Sequence, residues 1–446
     1  MSATMGPPVT ATVEPCANLR GVIRVPGDKS VSQRVAMLAG LCAGESRVDG
    51  YLQGEDCLNT LQAMVDMGAR SRWEGDRLFI TGTGGVLHTP AKPLWLGNSG
   101  TGIRLLSGLV SGFPVRAELT GDPYLCNRPM ERIRRPLVEM GARIELTGEK
   151  GTPPIRIQGG GLRAIRYETP MASAQVKSCI LLAALNTTGV TTVVEPAPTR
   201  DYTERLLRSL GVNVRTEGTS VHLEGLGEGG IRFTARDWNV PGDFSSAAFW
   251  IAAGALREGS EITIENVGLN PRRTALLDVL RRMGADIRVE SAVDATGESI
   301  GTVRVRGGRL RGTTVLKTEI PILIDELPLI ASIGALAEGE TSFRDAAELR
   351  VKESDRIATT AANLRALGVA VEEFPDGMTV RGAERLTPPP GAETKSYGDH
   401  RIAMSMAILA LHAESAFRIH DVEPVKTSYP TFWDHLATLG GTARHA

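Results

Sequence analysis

The sequence predicts a mixed α/β (α+β) protein with six copies of one βαβαββ unit, divided into two domains of three units each. Three observations support this prediction. An apolar helix end followed by Leu or Met and then Gly occurs six times. Alternating strand patterns follow the first five of these glycines, and every unit opens on a polar motif ahead of an apolar helix rich in small residues. A recurrence of this kind is typical of repeat architectures.

Six glycines mark the predicted ends of the second helix of each unit. Each follows a helical pattern such as VLRRMG, and glycine is common just beyond a helix because it adopts positive φ without strain. Successive glycines are 73, 70, 73, 84 and 72 residues apart. They are Gly68, Gly141, Gly211, Gly284, Gly368 and Gly440.

Alternating apolar and polar residues after the first five glycines predict the strands that finish each unit. These segments are RLFITG, PIRIQGG, SVHLEG, TVRVRGG and GMTVRG. No such strand pair follows Gly440, whereas the chain begins with strand-like stretches at 9–14 and 21–25 that belong to no unit. We therefore expect the N-terminal strands to complete the last unit.

Because the N-terminal strands would belong to the last unit, one of the two predicted domains is discontinuous in sequence. The first domain is 26–240, and the second combines 1–25 with 241–446. Val-Pro-Gly occurs at 25–27 and again at 240–242, so we expect hinges near both tripeptides. Ligand sites commonly lie between domains, so we expect a cleft there that closes when a ligand binds.

The composition indicates a globular protein with little to attract nucleic acid. The chain has 446 residues, a formal net charge of −1 and 42% hydrophobic residues, enough for two or three domains. A nucleic-acid-binding surface would be basic. No apolar run approaches the roughly 20 residues of a membrane span, and no signal peptide is visible. The five widely spaced cysteines fit reduced thiols, and no histidine pair has metal-ligand spacing, so we expect a cytoplasmic protein without a bound metal.

Each unit opens on a polar motif that we expect at the N-terminus of its first helix. Free backbone N–H groups and the helix dipole favour anions at such a position. The motifs are GDKS at 27–30, GNSGTG at 97–102, SAQ at 173–175, GDFSS at 242–246, DELP at 325–328 and GDHR at 398–401. GDKS is not the end of a P-loop, because Asp28 separates Gly27 from Lys29. Plain helix capping is the alternative interpretation.

The most charged motif is LRVKESDR, residues 349–356, ahead of a helix predicted over 357–367. Lys352 and Arg356 are four residues apart and would share a face of a continuous helix. Glu353 between them would lie in a positive field, where a carboxylate can be tuned for proton transfer. A solvated, salt-bridged helix start is the alternative interpretation.

Other candidate residues lie at predicted helix starts. Arg128 precedes Pro129, which we expect to be the first residue of a helix, so the guanidinium would point at a bound anion. Ser173 offers a hydroxyl to a phosphate oxygen, and Arg200 occupies the matching loop of the same unit. Asp325 lies among apolar residues, where it is either an N-cap or a base beside a substrate hydroxyl.

Seven segments resemble the motifs of the EPSP synthase family, the 3-phosphoshikimate 1-carboxyvinyltransferases, over essentially the whole chain. They are VPGDKSVSQR, LGNSGTGIR, NRPM, SAQVKS, DELP, RVKESDR and GDHRIAMS. SAQVKS and TRDYTE are similar to the bacterial type associated with glyphosate tolerance. The resemblance implies the enolpyruvyl transferase fold, an inverse α/β prism of two domains with three βαβαββ units each. That count agrees with the six units found above.

The resemblance also implies a reaction of the shikimate pathway to chorismate and aromatic amino acids. The enolpyruvyl group of phosphoenolpyruvate would pass to the 5-hydroxyl of shikimate 3-phosphate through a tetrahedral addition intermediate, releasing phosphate and needing no cofactor. Each substrate phosphate carries about −1.5 to −2 charges, which explains many cations in a chain with no net positive charge. We expect a monomer. Tolerant relatives often carry Ala at the position of Gly100, so we expect glyphosate to compete with phosphoenolpyruvate here.

Residue by residue, the resemblance implies two binding sets that share Lys29 and Gln175. Shikimate 3-phosphate would be bound by Lys29, Ser30, Arg34, Ser173, Ala174, Gln175, Arg200, Asp325 and Lys352. Phosphoenolpyruvate would be bound by Lys29, Gly100, Arg128, Gln175, Arg356 and Arg401. Asp325 would accept the hydroxyl proton, Glu353 would transfer a proton to the methylene carbon, and Lys29 would act with them as the third catalytic residue.

The sequence departs from the family pattern near its C-terminus. Some members carry Lys directly before Thr-Phe-Pro, whereas here Thr427 takes that position and Lys426 comes one residue early. Lys426 is therefore left out of the site, and Arg104 and Cys126 also stay without a role.

Two alternative functions remain at this point. UDP-N-acetylglucosamine enolpyruvyl transferase uses the same donor and a loop cysteine, but Cys126 lies two residues before Arg128 rather than five, and that enzyme lacks the DKS motif. A non-catalytic anion-binding repeat protein would have lost Asp325, Glu353 or a cation, and this chain retains them.

Overall fold

The structure, a computed structural model, describes residues 9–295 and 298–446. Residues 1–8 of the predicted second domain lie outside the described residues. Contacts within the chain divide it into two compact units, each larger than a βαβαββ unit. The first of them, called the first unit from here on, consists mainly of residues 27–241. The described part of the second unit is formed by three segments, 9–26, 242–293 and 299–446. In the part of the chain that the structure describes, no helix is long and apolar enough to cross a membrane.

Helices and strands alternate along the whole described chain. The helices are α1 Lys29–Leu41, α2 Glu55–Asp66, α3 Gly100–Ser111, α4 Glu131–Met140, α5 Ala174–Ala184, α6 Tyr202–Ser209, α7 Phe244–Ala255, α8 Ala275–Arg282, α9 Ile320–Leu323, α10 Leu327–Gly334, α11 Arg356–Ala366, α12 His400–His412 and α13 Phe432–Thr438. Short 3₁₀ helices span Leu125–Asn127, Ala347–Val351 and Glu423–Thr427. The strands are β1 Thr10–Glu14, β2 Arg20–Ile23, β3 Glu45–Asp49, β4 Arg70–Glu74, β5 Arg77–Thr81, β6 Leu94–Trp95, β7 Arg116–Thr120, β8 Arg143–Leu146, β9 Ile155–Gln158, β10 Arg166–Glu168, β11 Val190–Val194, β12 Val214–Glu217, β13 Ser220–Glu224, β14 Trp238–Asn239, β15 Glu261–Gly268, β16 Asp286–Ala295, β17 Glu298–Arg306, β18 Gly339–Phe343, β19 Ala370–Phe374, β20 Gly377–Gly382, β21 Glu393–Lys395, β22 Phe417–His420 and β23 Thr442–His445.

Six small sheets repeat one strand order. Those of the first unit are β14-β3-β5-β4, β6-β7-β9-β8 and β10-β11-β13-β12, and those of the second are β2-β15-β17-β16, β18-β20-β19 and β21-β22-β1-β23. The four-stranded sheets each begin with a parallel pair and continue with antiparallel neighbours. The three-stranded sheet keeps a parallel bridge between Thr314 and Ser342 where its fourth strand would lie. The prediction of six βαβαββ units is therefore confirmed.

The helix-ending glycines behave as the sequence predicts. All six adopt positive φ, between 83° and 116°. A side chain would be strained in this left-handed region, whereas glycine is not. The glycine signature therefore reports a real backbone requirement at the same point of every unit.

The N-terminal strands take part in two different sheets. Strand β1 lies between β22 and β23, where Ala11 pairs with both Ile419 and His445. Strand β2 instead pairs in parallel with β15, with Ile23 opposite Ile264, so the expectation that both N-terminal strands complete the last sheet is wrong for β2. In the first unit, β14 adds to β3 in the same way. A parallel neighbour cannot be reached by a tight turn, so it has to come from a distant part of the chain.

Each unit has its own hydrophobic core around three inner helices. In α1 every residue from Val31 to Leu41 is buried, and α7 is buried along its whole length. The outer helices bury a single face; in α4 the buried side chains Ile133, Leu137 and Met140 recur every three or four residues. An inner helix buried all round exposes little besides its first turn, which is where the polar motifs lie.

Candidate active site residues in each unit

The polar motifs lie at the starts of the inner helices, as predicted. Their capping side chains accept hydrogen bonds from backbone N–H groups two or three residues ahead. The caps are Asp28 for α1, Ser99 for α3, Ser173 for α5, Asp243 for α7 and Asp399 for α12. Glu326 occupies the cap position of α10 without such a bond. The side chain of Asp325 is therefore not an N-cap.

Lys29 and Ser30 begin α1 with their side chains partly exposed. The Lys29 ammonium lies 3.3 Å from a carboxylate oxygen of Asp56, at the start of α2. Both side chains are mostly but not fully buried, so the pair keeps an accessible edge. A lysine held in this way presents a cation at a fixed point without closing it off from solvent.

Arg34, one turn further along α1, is buried. Its Nε donates to Thr203 at 2.7 Å, and its terminal nitrogens donate to the Ser30 carbonyl at 2.8 Å and to Ser178 at 2.9 Å. Burial lowers the pKa of Arg34 to about 10, against the opposing effect of Glu204. A guanidinium carries five N–H donors; here one stays within α1, and two fasten α1 to α5 and α6.

Gly100 at the start of α3 faces two arginines. A Cβ at this position would lie 2.6 Å from Nη1 of Arg128 and 3.2 Å from Nη1 of Arg104. Arg128 in turn donates to Asn98 at 2.5 Å. The absence of a side chain at Gly100 is what lets both guanidinium groups approach the helix start.

Gln175 completes this cluster from α5. Its amide nitrogen donates to Thr101 at 2.9 Å, and its amide oxygen accepts a hydrogen bond from Arg104. The structure thus brings together Gly100, Arg128 and Gln175, three residues of the predicted phosphoenolpyruvate set. It also adds Arg104, a residue to which the sequence assigned no role.

The predicted helix start beside Arg128 is wrong. Helix α4 begins at Glu131 with Met130 at its cap, so Pro129 is not the first helical residue. Arg128 instead closes the 3₁₀ turn Leu125–Asn127, where its backbone N–H donates to Leu125. The tight turn and the bond to Asn98, rather than a helix terminus, fix the direction of the guanidinium.

Arg200 lies partly exposed in a loop that is fixed by buried charges. The neighbouring Thr199 donates a hydrogen bond to Glu195. Glu195 and Glu204 each lie 2.8 Å from the ammonium group of Lys177, and all three side chains are at most 1% exposed. Lys177 belongs to α5, the helix that Ser173, Ala174 and Gln175 begin, so one ion cluster ties that helix to the Arg200 loop.

In the second unit, Arg356 is the centre of the candidate site. Its guanidinium is 1% exposed and lies 2.7 Å from Asp399, 2.7 Å from Glu353 and 3.1 Å from Asp325. Burial alone would lower the pKa of Arg356, but the three carboxylates outweigh it and raise that pKa. Burial likewise opposes ionisation of Asp399, yet Arg356 keeps the pKa of that carboxyl below its usual value.

Lys352 and Arg356 do not share a helix face. Lys352 ends the 3₁₀ helix Ala347–Val351 in an extended conformation, and α11 begins only at Arg356. The Lys352 ammonium lies 3.2 Å from Glu348, whereas Glu353 turns towards Arg356. Asp355 caps α11, which breaks the continuous helix that the spacing would have required.

Arg401 links the start of α12 to Asp325. Its Nη1 donates to the Asp325 backbone carbonyl at 3.1 Å and lies 3.6 Å from Glu326. The structure therefore brings together Asp325, Glu353, Arg356 and Arg401. Two carboxylates held by one buried arginine can act as a proton acceptor and a proton donor, provided that a substrate reaches both.

Sequence reasoning missed Arg273, which lies before α8 within ion-pair distance of three carboxylates. A signal for it was present in the repeat. In four of the six units an arginine lies 11 to 13 residues before the helix-ending glycine. These arginines are Arg128, Arg200, Arg273 and Arg356. Aligning the units on their glycines would have singled out Arg273 beside three predicted ligands.

Comparison with known proteins yields close relatives along the whole chain. The family model described as EPSP synthase (3-phosphoshikimate 1-carboxyvinyltransferase) matches residues 13–436. The 3-phosphoshikimate 1-carboxyvinyltransferase of Akkermansia muciniphila is 50% identical over 432 residues, 94% of this chain and 98% of the relative. The enzyme of the same name from Nitrosococcus oceani is 46% identical over 436 residues, 97% of this chain and 96% of the relative.

Solved structures show the same fold. EPSP synthase from Acinetobacter baumannii matches with a TM-score of 0.87 and 42% identity, covering 98% of this chain and all of the other. The enolpyruvyl transferase NikO from Streptomyces tendae matches with a TM-score of 0.78 and 21% identity over 99% of each chain, which is a likeness of fold alone. The predicted enolpyruvyl transferase fold is confirmed.

Proposed function

Since this chain belongs to the EPSP synthase family, we propose that it transfers the enolpyruvyl group of phosphoenolpyruvate to the 5-hydroxyl of shikimate 3-phosphate. The products are 5-enolpyruvylshikimate 3-phosphate and inorganic phosphate. The observation that supports this most directly is the pair of carboxylates, Asp325 and Glu353, on one buried arginine, Arg356. An addition–elimination needs one group to take a proton from oxygen and one to deliver a proton to carbon.

The two carboxylates divide the proton transfers of the reaction. In the addition step, the hydroxyl oxygen bonds to C2 of phosphoenolpyruvate, its proton passes to Asp325, and Glu353 gives a proton to the methylene carbon C3. In the elimination step, the C2–O bond to phosphate breaks, the leaving phosphate takes up the proton that Asp325 accepted, and C3 loses a proton to Glu353, which restores the double bond. Lys29 contacts both substrates and stabilises the charge that develops on the departing phosphate.

The ligands of each substrate follow the chemistry of its groups. Shikimate 3-phosphate is held by Lys29, Ser30, Arg34, Ser173, Ala174, Gln175, Arg200, Asp325 and Lys352. Phosphoenolpyruvate is held by Lys29, Gly100, Arg128, Gln175, Arg356 and Arg401. Guanidinium forks suit carboxylate and phosphate, hydroxyl and amide groups suit the phosphate oxygens at a helix start, and the main chain at Gly100 allows close approach.

Three further properties belong to the same proposal. Glyphosate competes with phosphoenolpyruvate for the pocket beside Gly100. The protein works as a monomer, and it works in the cytoplasm, where phosphoenolpyruvate is available. Sedimentation velocity at micromolar concentration, with and without both substrates, tests the monomer; a dimer in either sample contradicts it.

Phosphate release from phosphoenolpyruvate tests the function directly. The protein is mixed with phosphoenolpyruvate and either shikimate 3-phosphate or UDP-N-acetylglucosamine, and phosphate is measured in both. Release with shikimate 3-phosphate alone is expected. Release only with the nucleotide sugar would mean that the acceptor is wrong, and no release with either would mean that the protein merely binds anions.

A further inference from the structure

Arg273 is a buried cation that none of the proposed ligand roles uses. It lies between β15 and α8 and is 3% exposed. Its backbone N–H donates to the Asn270 carbonyl at 2.8 Å, so the loop that carries it is itself fixed. A buried guanidinium is costly unless carboxylates or carbonyls compensate it, so its position calls for partners of the opposite charge.

Those partners lie at the starts of two inner helices. Nη2 of Arg273 lies 3.6 Å from Asp243, the cap of α7, and 4.0 Å from Glu326, the cap of α10. The same nitrogen donates to the hydroxyl of Ser245, which in turn donates to Glu326. Glu326 is 1% exposed, and Arg401 lies 3.6 Å from it as a second cation.

Asp325 is held between two arginines. Its Oδ1 accepts a hydrogen bond from Arg356 at 3.1 Å, and its Oδ2 lies 3.8 Å from Nη1 of Arg273. Arg401 meanwhile binds the backbone carbonyl of the same residue. The distance to Arg273 is that of an ion pair rather than a hydrogen bond.

We propose that Arg273 is a positioning residue for Asp325, keeping this carboxylate ionised and turned towards the substrate hydroxyl without touching the substrate itself. The proposal rests on the role of Asp325 as the base of the proposed reaction. Arg356 approaches one oxygen of the carboxylate, and Arg273 lies on the side of the other. Cations on both sides fix the orientation of the carboxylate plane and keep the carboxylate ionised.

The charged groups around Asp325 and around the arginines that hold it determine what the loss of Arg273 does. The cations are Arg273, Arg356 and Arg401, and the anions are Asp243, Glu326, Glu353 and Asp399. The carboxylates already outnumber the arginines. A nearby cation favours the charged form of a carboxylate, so removal of Arg273 makes protonation easier. The acid limb of the kcat profile should then move to higher pH.

The test compares a single and a charge-compensated variant. Arg273→Met leaves Glu326 buried with one cation fewer, whereas Arg273→Met/Glu326→Gln removes both charges of that pair. In Arg273→Met we expect kcat to fall about tenfold or more and the acid limb to rise by about one pH unit, because an opposite charge at this distance typically shifts a carboxyl by at least that much. In the compensated variant we expect the same fall of kcat with a smaller rise of the acid limb, because Glu326→Gln also removes an anion beside Asp325. Arg273→Lys keeps the charge and should keep the acid limb of wild type.

If Arg273 acts through Asp325, its removal should have no effect on the pH profile once Asp325 has been replaced. In an Asp325→Asn background, Arg273→Met/Glu326→Gln should cause no further shift of the acid limb. The exposed pair Arg381 and Glu340 of the same unit supplies a matched control, and Arg381→Met/Glu340→Gln should leave the profile unchanged. Circular dichroism establishes that each variant is folded; if Arg273→Met is not, the compensated variant carries the comparison.

The outcomes separate the inference from the function on which it rests. Wild-type turnover in the compensated variant would overturn the inference, since Arg273 would then serve only to neutralise Glu326. Full turnover in Asp325→Asn would show that Asp325 is not the base of the reaction. If the wild-type protein releases no phosphate, the proposed reaction is wrong, independently of the role of Arg273.

Discussion

At the scale of single residues, Arg356 is neutralised before any substrate arrives. Three carboxylates surround its buried guanidinium, so in the proposed reaction the carboxylate of phosphoenolpyruvate would compete with Asp325 and Glu353 for the same donors. This competition has a consequence for the chemistry. When a substrate anion takes over part of the guanidinium, the displaced carboxylates lose the cation that favoured their charged form, and they become better proton acceptors.

Replacement of either carboxylate should therefore stop the reaction with little effect on folding. Asp325→Asn and Glu353→Gln keep an oxygen that can accept from Arg356 but lose the ability to take up a proton. We expect kcat to fall about 100-fold or more in each, the usual contribution of general acid–base catalysis. Phosphate release under saturating substrates measures it.

Asp345→Asn supplies the control for these two variants. Asp345 is an exposed carboxylate of the same unit, paired with Lys317 at 2.9 Å. Its amide variant should turn over at the wild-type rate. Full activity in Asp325→Asn or in Glu353→Gln would rule out the corresponding role.

Gly100 allows a second prediction at the residue scale. In Gly100→Ala the new methyl group would meet Nη1 of Arg128 at 2.6 Å, and this flexible end would have to move. We expect the glyphosate concentration for half inhibition to rise about tenfold or more, which corresponds to a loss of about 1.4 kcal/mol of binding free energy. The KM for phosphoenolpyruvate should rise by a smaller factor.

Inhibition curves at fixed phosphoenolpyruvate measure the effect of this methyl group. Gly308→Ala is the matched control, because a Cβ at Gly308 meets no atom within 4 Å and its φ is not positive. Equal inhibition of wild type and Gly100→Ala would show that glyphosate does not use the space beside Gly100.

The resemblance of the motifs to a known family was enough to name candidate ligands but not their contacts. RVKESDR predicted a carboxylate in a positive field, and the structure shows Glu353 2.7 Å from Arg356. The distant partner Asp399 comes from another unit of the repeat, 43 residues away along the chain. Only packing of α11 against α12 brings it there, and no local pattern carries that information.

At the scale of elements, a buried ion cluster fastens α5 to its neighbours. Lys177 lies on α5, Glu204 on α6, and Glu195 just beyond β11, and the two carboxylates flank one ammonium group. SAQVKS predicted an uncharged helix start, and its lysine was taken only as part of a family motif. The side chain of Lys177 is fully buried, which the apolar pattern of a helix enclosed on all sides cannot reveal.

Removal of this lysine should destabilise the first unit strongly. Lys177→Met leaves two buried carboxylates without their cation, and we expect the free energy of unfolding to fall by about 3–5 kcal/mol. The fall in the free energy of unfolding is measured from the denaturant midpoint of the first unit. Lys177→Met/Glu195→Gln/Glu204→Gln removes the whole cluster and should regain much of the loss.

An exposed lysine gives the comparison for this change. Lys317 pairs with Asp345 at the surface, so Lys317→Met should cost less than about 1 kcal/mol. Similar midpoints for Lys177→Met and wild type would mean that Glu195 and Glu204 find other compensation, and that the cluster does not hold the Arg200 loop.

At the scale of the whole molecule, the glycine period predicted six units, and their sheets confirm it. The period could not predict which sheet each N-terminal strand joins, because β1 and β2 carry similar alternating patterns. The structure shows which sheet each strand joins: β1 pairs with β22 and β23, whereas β2 pairs with β15. The division into domains joined near 25–27 and 240–242 stays a prediction about how the chain folds and moves.

That division makes a prediction about fragments. Residues 27–241 contain three complete sheets and a core of their own, so we expect this fragment to fold alone. Residues 242–446 lack β1, the strand between β22 and β23, and also lack β2. An open edge at β15 in one sheet and a gap between β22 and β23 in another should leave this fragment unfolded.

A circular permutation should restore the second unit. Ala446 and Thr10 exchange two backbone hydrogen bonds of 2.9 Å, so an Asn-Gly turn can join residues 242–446 to 10–26 as a hairpin. We expect this fragment to unfold cooperatively on heating, followed by circular dichroism. Val13→Asp should abolish folding because Val13 is fully buried, whereas Thr12→Asp on the other face should be tolerated. Cooperative unfolding of 242–446 without the added strands would show instead that β1 and β2 are dispensable, and that the discontinuous domain is not a folding unit.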